Sequence, residues 1–235
     1  MTTWRTLLAV LLCGCGQAWA IELTSDALPP LPDPLGVAGP FVGVDGDAVI
    51  VAGGANFAPP VWEADKVWHD AIWVLLASGQ EAGPRWLAGG QLERPLGYGV
   101  SVSTSKGIVC AGGNDATTAF ADAFLLTWND EQQQVEHRPL PPLPQPSAYG
   151  SAAAIGDTVY VAAGTPSSSL ADATPRFWSL DLSGDDASHW AWQELPAWPG
   201  PARGFGIMAA QHNGEAACVY LISGRRESKE GEIEL

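Results

Sequence analysis

Four side chains of the sequence are suited to hold a polar ligand, two of them arginines and two asparagines. A guanidinium group grips a carboxylate with two parallel hydrogen bonds, and a carboxamide both donates and accepts hydrogen bonds. Each arginine precedes a run of small residues, and each asparagine follows a pair of glycines. These residues are Arg94, Arg203, Asn56 and Asn114. Their shared contexts predict that a repeated structural element brings them to one place.

The repeated element consists of two short strands, joined by a tight turn and ended by a small residue and a glycine. The first copy runs from Leu35 to Asn56, and further copies occupy residues 96–114, 148–164 and 203–224. The last glycine of each copy stands at 54, 113, 164 and 224, so the spacings are 59, 51 and 60 residues. A period near ~50 residues with several strands per unit is typical of a kelch-type β-propeller.

Each of the first three copies is followed by a loop and two more strands, which makes four strands per blade. Alternating apolar residues predict the third strand of each blade at residues 69–75, 121–126 and 175–182. We therefore predict an all-β kelch-type β-propeller. Its complete blades lie at about residues 28–89, 90–139 and 140–194, with a partial fourth blade at about 195–235. Because three and a half blades leave strand edges exposed, we interpret the chain as a fragment of a longer propeller. A pseudogene product and a ring closed by another chain are the alternatives.

In such a propeller, one face carries two kinds of connection. They are the crossings, which lead from the outer strand of one blade to the inner strand of the next, and the loops that follow the glycines. All four candidate side chains can therefore point at one substrate-binding site. In the alternative interpretation the arginines tie adjacent blades together through loop carbonyls, and Asn56 and Asn114 are turn residues. Three aromatic residues at one repeat position are expected to pack between blades, namely Tyr98, Tyr149 and Phe205.

The net charge and the absence of certain motifs argue against several classes of function. The formal net charge is −15, which disfavours binding to nucleic acid or to anionic membranes. The histidines show no metal-ligand spacing, and the sequence contains neither a P-loop nor a G-x-S-x-G motif. We accordingly predict no cofactor, no metal, and neither nucleic acid nor a membrane as the partner.

Residues 1–20 have the features of an export signal. Arg5 is followed by an apolar run from Leu7 to Leu12 and by Ala18-Trp19-Ala20, a small-x-small cleavage site. The sequence thus predicts cleavage after Ala20 and a periplasmic or extracellular protein. A lipoprotein anchored through Cys15 is the alternative.

Several segments of the sequence resemble the corresponding segments of the N-acetylneuraminate epimerase (sialic acid mutarotase) family. They are residues 31–43, 52–57, 66–70, 96–101 and 198–203. The order of the blades resembles the cyclically permuted branch of that family, and the resemblance covers roughly residues 28–224. It implies a six-bladed propeller, exported to the periplasm, that interconverts the α and β anomers of free sialic acid.

The resemblance assigns no catalytic residues here, since the carboxylate and arginine proposed as catalytic in the family lie in a later blade. Glu227 and Arg225 stand in a different local pattern and do not receive those roles. Two functional hypotheses follow. One is a sialic acid mutarotase-like enzyme. The other is a non-catalytic exported kelch module that binds a protein or a glycan.

Overall fold

The chain folds into an arc of antiparallel β-sheets, as the kelch-type repeat predicted. The structure is a computed structural model that describes residue 25 and residues 27–76, 83–162, 164–184, 186–228 and 231–234. The predicted export signal, residues 1–20, lies outside the described residues. Three sheets have four strands and a fourth has two, so the predicted three complete blades and partial fourth blade are confirmed. The described sheets do not close into a ring.

Blade 1 has the strand order β1-β2-β5-β6, and a separate hairpin of two short strands, β3 and β4, stands in the loop between β2 and β5. The bounds are β1 Phe41–Asp45, β2 Ala48–Ala52, β3 Ala55–Phe57, β4 Lys66–Trp68, β5 Ala71–Leu76 and β6 Arg85–Gln91. The sequence did not predict the β3–β4 hairpin, because strands of three residues are too short to show a periodicity.

Blades 2 and 3 repeat the meander without an inserted hairpin. Blade 2 consists of β7 Val100–Thr104, β8 Gly107–Ala111, β9 Ala123–Asn129 and β10 Gln134–Leu140. Blade 3 consists of β11 Ser151–Ile155, β12 Thr158–Ala162, β13 Phe177–Asp181 and β14 Trp192–Leu195, with two 3₁₀ turns at Leu170–Asp172 and Ala187–His189. The part of the chain that the structure describes contains no helix long and apolar enough to cross a membrane.

Blade 4 is the hairpin of β15 Ile207–His212 and β16 Ala217–Ile222. A further small hairpin follows it, β17 Arg226–Glu227 and β18 Ile233–Glu234. In blade 1 the β3–β4 hairpin occupies the same place after the second strand.

The third strand of each complete blade begins two residues later than the sequence predicted. Residues 69–70 and 121–122 form turn hydrogen bonds instead of ladder hydrogen bonds: the amide of His69 donates to the carbonyl of Gly54, and the carbonyl of Asp122 accepts from Gly112. The alternating apolar residues do form the third strand, but the first two residues of each predicted range belong to the preceding loop.

Apolar side chains between neighbouring blades form the core. One cluster joins blades 1 and 2 and includes Phe41, Ile50 and Leu126. A second cluster joins blades 2 and 3 and contains Trp178 and Leu180. Each blade is therefore stabilised by burying apolar area against its neighbours.

Proline-rich segments are hydrogen-bonded to the outermost strands of blades 1 and 3. The indole nitrogen of Trp86 donates to the carbonyl oxygen of Pro29 at 2.9 Å, and Trp192 donates to Pro141 at 2.8 Å. Each pair joins the outermost strand of a blade to the crossing that precedes the same blade. Pro139 lies within the outermost strand β10, where a missing amide donor costs no ladder hydrogen bond.

Candidate functional site

All the crossings between blades and all the loops after the second strands lie at the same end of the strands, which we call the top face. On this face one residue at the start of each inner strand adopts a left-handed backbone conformation: Gly39, Tyr98, Tyr149 and Phe205, with φ between 56° and 62°. The amides of Tyr98, Tyr149 and Phe205 each donate to the carbonyl of the counterpart in the preceding blade, at 2.7 to 2.8 Å. The left-handed conformation places these residues in a continuous hydrogen-bonded arc at the inner ends of the blades.

Three of the four residues in this arc are aromatic, and we call Tyr98, Tyr149 and Phe205 the aromatic row. The rings of Tyr98 and Tyr149 meet edge to face with centroids 5.3 Å apart, and those of Tyr149 and Phe205 stack at 4.3 Å. The rings thus pack against one another across blades, as the sequence predicted. The tyrosines are half-buried and Phe205 is 38% exposed, so the row also presents aromatic surface to a ligand.

A cation stands at each end of the aromatic row. The Nζ atom of Lys66, in β4, lies 4.7 Å from the ring centroid of Tyr98, and the guanidinium carbon of Arg225 lies 5.1 Å from that of Phe205. Within the described ranges neither side chain forms an ion pair. Sequence reasoning did not select either residue as a binding residue. Arg225 directly follows the fourth glycine, where Asn114 stands in blade 2, and this position was the signal that could have found it.

Asn114 lies at the centre of this surface, at the join between blades 2 and 3. Its side chain is buried, and its Nδ2 atom donates to the hydroxyl oxygen of Tyr149 at 2.9 Å. The Oδ1 atom has no hydrogen-bond partner among the described residues. Because Tyr149 accepts from Asn114, its own hydroxyl proton can be donated to a ligand.

Asn56 forms part of a different arrangement. Its Nδ2 atom donates to the carbonyl oxygen of Gly36 at 2.9 Å, and its Oδ1 atom lies 2.8 Å from Nε2 of His69. Since the amide orientation is set by the Gly36 carbonyl, Oδ1 must accept, and Nε2 of His69 carries the proton. Asn56 therefore holds the histidine on the top face of blade 1.

Arg94 bridges blades 1 and 2. Its Nη1 atom lies 2.9 Å from Oδ2 of Asp122, and its guanidinium stacks 4.7 Å from the ring of Phe120. A cavity of about 230 Å³ opens beside this pair, lined also by Glu93 and His137. The guanidinium of Arg94 is thus engaged by an aspartate of the same protein.

Arg203 binds loop carbonyls of blade 4. Its Nη1 atom donates to the carbonyl oxygen of Ser223 at 2.8 Å and its Nε atom to that of Pro201 at 3.3 Å. These are the contacts that the alternative, structural interpretation of the arginines described.

The hydrogen bonds between blades show that the two candidate arginines do not occupy equivalent positions in their repeats, and neither do the two candidate asparagines. The amides of Gly54, Gly113 and Gly164 donate to the carbonyls of Leu96, Ser147 and Arg203, so Arg203 corresponds to Leu96 and not to Arg94. Asn114 forms the bridge with Gly97 that Ala55 forms with Ala38. Asn56 is therefore one residue past the position of Asn114.

A tight loop follows Asn114. The carboxylate of Asp115 accepts hydrogen bonds from the amides of Thr117 and Thr118, each at 2.8 Å. The hydrogen bond from Thr117 is the main cause that holds the pKa of Asp115 below its usual value, and the charge of Arg94 adds to it. Within the described part of the chain no three acidic, histidine or cysteine side chains cluster closely enough to hold a metal ion.

The structure therefore defines a kelch-like all-β protein whose top face has an aromatic row between two cations. No protein-family model matches the chain. Over 114 residues, or 43% of the chain, it is 32% identical to an N-acetylneuraminate epimerase of Yersinia pestis (strain Pestoides F). Over the same length it is 36% identical to an N-acetylneuraminate epimerase of Brucella suis. The match spans 27% of the first relative and 28% of the second, so the chain corresponds to little more than a quarter of these curated relatives.

Proposed function

We propose that the protein is a sialic acid mutarotase-like enzyme that interconverts the anomers of N-acetylneuraminate on its top face. The observation that carries the proposal is the aromatic row with an ammonium group at one end and a guanidinium at the other, neither paired with a carboxylate in the described residues. Aromatic faces suit the apolar face of a sugar ring, and the cations suit its carboxylate. The partial similarity to N-acetylneuraminate epimerases supports the same substrate.

The reaction requires only proton transfers and one reversible bond cleavage. The anomeric hydroxyl loses its proton to a base while the bond between the anomeric carbon and the ring oxygen breaks. The ring oxygen gains a proton, and an open-chain ketone results. Closure on the opposite face of the carbonyl reverses these steps and yields the other anomer. Atoms and electrons therefore balance without a co-reactant.

Tyr149 is the side chain of the aromatic row best placed to supply a proton. Its hydroxyl oxygen is held by Asn114 at 2.9 Å, which leaves the hydroxyl proton available to a sugar oxygen. A positioned donor of this kind is what general acid catalysis requires.

Two further features of the proposal come from the sequence. The apolar run and cleavage site within residues 1–20 support action outside the cytoplasm. The order of the family phrases along the chain supports membership in the cyclically permuted branch.

The test is anomer exchange of free N-acetylneuraminate, followed by NMR with and without the protein. We expect exchange faster than in buffer at the same pH. Protein with β-sheet circular dichroism that leaves the exchange rate at its buffer value would contradict the proposal.

A non-catalytic glycan-binding module is the second candidate, and the β3–β4 hairpin favours it. Trp62, in the loop of that hairpin, is 82% exposed, and Phe57 in β3 is 38% exposed. Exposed aromatic rings are common sugar contacts. If Trp62→Ala abolishes glycan capture in a protein without anomer exchange activity, this second candidate replaces the first.

A further inference from the structure

The ammonium group of Lys66 is held by aromatic rings from two blades. Its Nζ atom lies 5.6 Å from the ring centroid of Phe57, 5.3 Å from that of Trp68 and 4.7 Å from that of Tyr98. Phe57 and Trp68 belong to the β3–β4 hairpin of blade 1, whereas Tyr98 lies two residues before the inner strand β7 of blade 2. Attraction of a cation to aromatic faces therefore fixes the side chain at the end of the aromatic row.

The charge environment of Lys66 differs from that of the paired arginines. Arg94, Arg176 and Arg226 each contact a carboxylate: Asp122, Glu194 and Glu234. Lys66 forms no such contact in the described residues, although the chain carries 26 acidic side chains against 11 basic ones. Aromatic rings hold the cation in place without supplying an anionic oxygen, so its three N–H donors stay available to an anionic ligand.

We propose that Lys66 is the specificity-determining residue that binds the carboxylate of a sugar acid at this site. The inference rests on the proposed function, which places the substrate on the aromatic row. It adds which residue binds the carboxylate and at which end of the row the carboxylate lies. The carboxylate then lies at the Tyr98 end of the aromatic row, because Nζ is 4.7 Å from the centroid of that ring. A neutral sugar of the same size lacks this contact and binds less tightly.

Lys66 is a better carboxylate site than Arg225, the cation at the other end of the row. Lys66 is half-buried among three rings, whereas Arg225 is exposed and lies over the single ring of Phe205. A partly desolvated cation interacts more strongly with an anion, and salt screens it less.

The test measures binding of N-acetylneuraminate and of its methyl ester by isothermal titration calorimetry. The matched variants are Lys66→Met, Lys66→Arg and Lys106→Met; Lys106 lies in the turn between β7 and β8, at the opposite end of the strands. We expect Lys66→Met to weaken binding of the acid about tenfold or more, which corresponds to loss of a hydrogen bond to a charged group. Lys66→Arg and Lys106→Met should each stay within about threefold of the unaltered protein.

The methyl ester tests the inference in the unaltered protein, so that it does not depend on how well a variant folds. The ester should bind about tenfold more weakly than the acid, and Lys66→Met should reduce its affinity no further. Equal affinities for acid and ester, or undiminished binding of the acid by Lys66→Met, overturn the inference even if anomer exchange is fast. Selective binding of the acid through Lys66 without faster exchange leaves the inference standing and contradicts the proposed function.

Discussion

Blades 2 and 4 have the same backbone at the top face but differ in what their side chains do there. In blade 2 the segment Gly112-Gly113-Asn114 is buried, whereas in blade 4 the equivalent segment Ser223-Gly224-Arg225 has two exposed residues. Asn114 and Arg225 form the same pair of backbone hydrogen bonds, to Gly97 and to Gly204. The comparison shows that the repeat fixes the backbone position, while the side chain at that position is buried in one blade and exposed in another.

The largest effect should come from the close approach of backbones in blade 2. Gly112 has φ +68°, and a Cβ atom there would lie 2.1 Å from the carbonyl oxygen of Ser147. We expect Gly112→Ala to lower the free energy of unfolding by about 3 kcal/mol, since a left-handed alanine and an overlap are combined. Urea denaturation followed by tryptophan fluorescence measures the change.

Gly156 supplies the control for that substitution. It has φ +60° but open space around the site of a Cβ atom, so Gly156→Ala should cost only about 1 kcal/mol. Equal losses for the two variants would show that the backbone conformation matters and that the approach of Ser147 does not.

A second pair of variants compares the packing of the two blades directly. Leu126 of β9 is 1% exposed within the cluster between blades 1 and 2, while Leu221 of β16 is half-buried beside a smaller cluster between blades 3 and 4, formed by Ala153, Ala162 and Met208. Leu126→Ala should cost about 2–3 kcal/mol, and Leu221→Ala about 1 kcal/mol because less area is buried. If Leu221→Ala costs as much as Leu126→Ala, blade 4 is packed as firmly as blade 2.

The sequence alone was sufficient for the blades but not for the site. Alternating apolar residues and the final glycines predicted four strands per blade, because burial between blades imposes that pattern on every repeat. The positions of Arg94 and Arg203, by contrast, depend on hydrogen bonds between blades that sequence phrases do not show. A shift of two residues separates Arg94 from the true equivalent of Arg203, which is Leu96.

Lys66 was missed for a related reason. It lies on a three-residue strand of a hairpin that blades 2 and 3 lack in the described residues, so those two repeats do not predict where its side chain lies. Two of the three rings that surround it, Phe57 and Trp68, belong to the same short hairpin.

Substitutions at the backbone position that Asn114 and Arg225 share should change the free energy of unfolding less than the core substitutions do. Asn114→Ala removes a buried hydrogen bond to Tyr149 and should cost about 1 kcal/mol. Arg225→Ala changes an exposed side chain and should stay within about 0.5 kcal/mol of the unaltered protein. Thermal unfolding of both variants at one pH measures the difference, and a larger loss for Arg225→Ala would reverse the assignment of packing to blade 2 and exposure to blade 4.

The smallest effect concerns the loop that follows Asn114, which in blade 4 begins with Arg226 in place of Asp115. The pKa of Asp115 is lowered, mainly by the hydrogen bond from Thr117, so the folded state favours the ionised carboxylate. The resulting stability is fully present above the pKa of an unfolded aspartate, about 3.9, and is lost as the pH falls through the lower folded value. The amide proton signals of Thr117 and Thr118 should therefore shift in NMR spectra only below about pH 3.9, and Asp115→Asn should remove that titration. Shifts centred above that pH would mean that these hydrogen bonds do not stabilise the ionised carboxylate. The charge of Asp115 would then not stabilise this loop of blade 2.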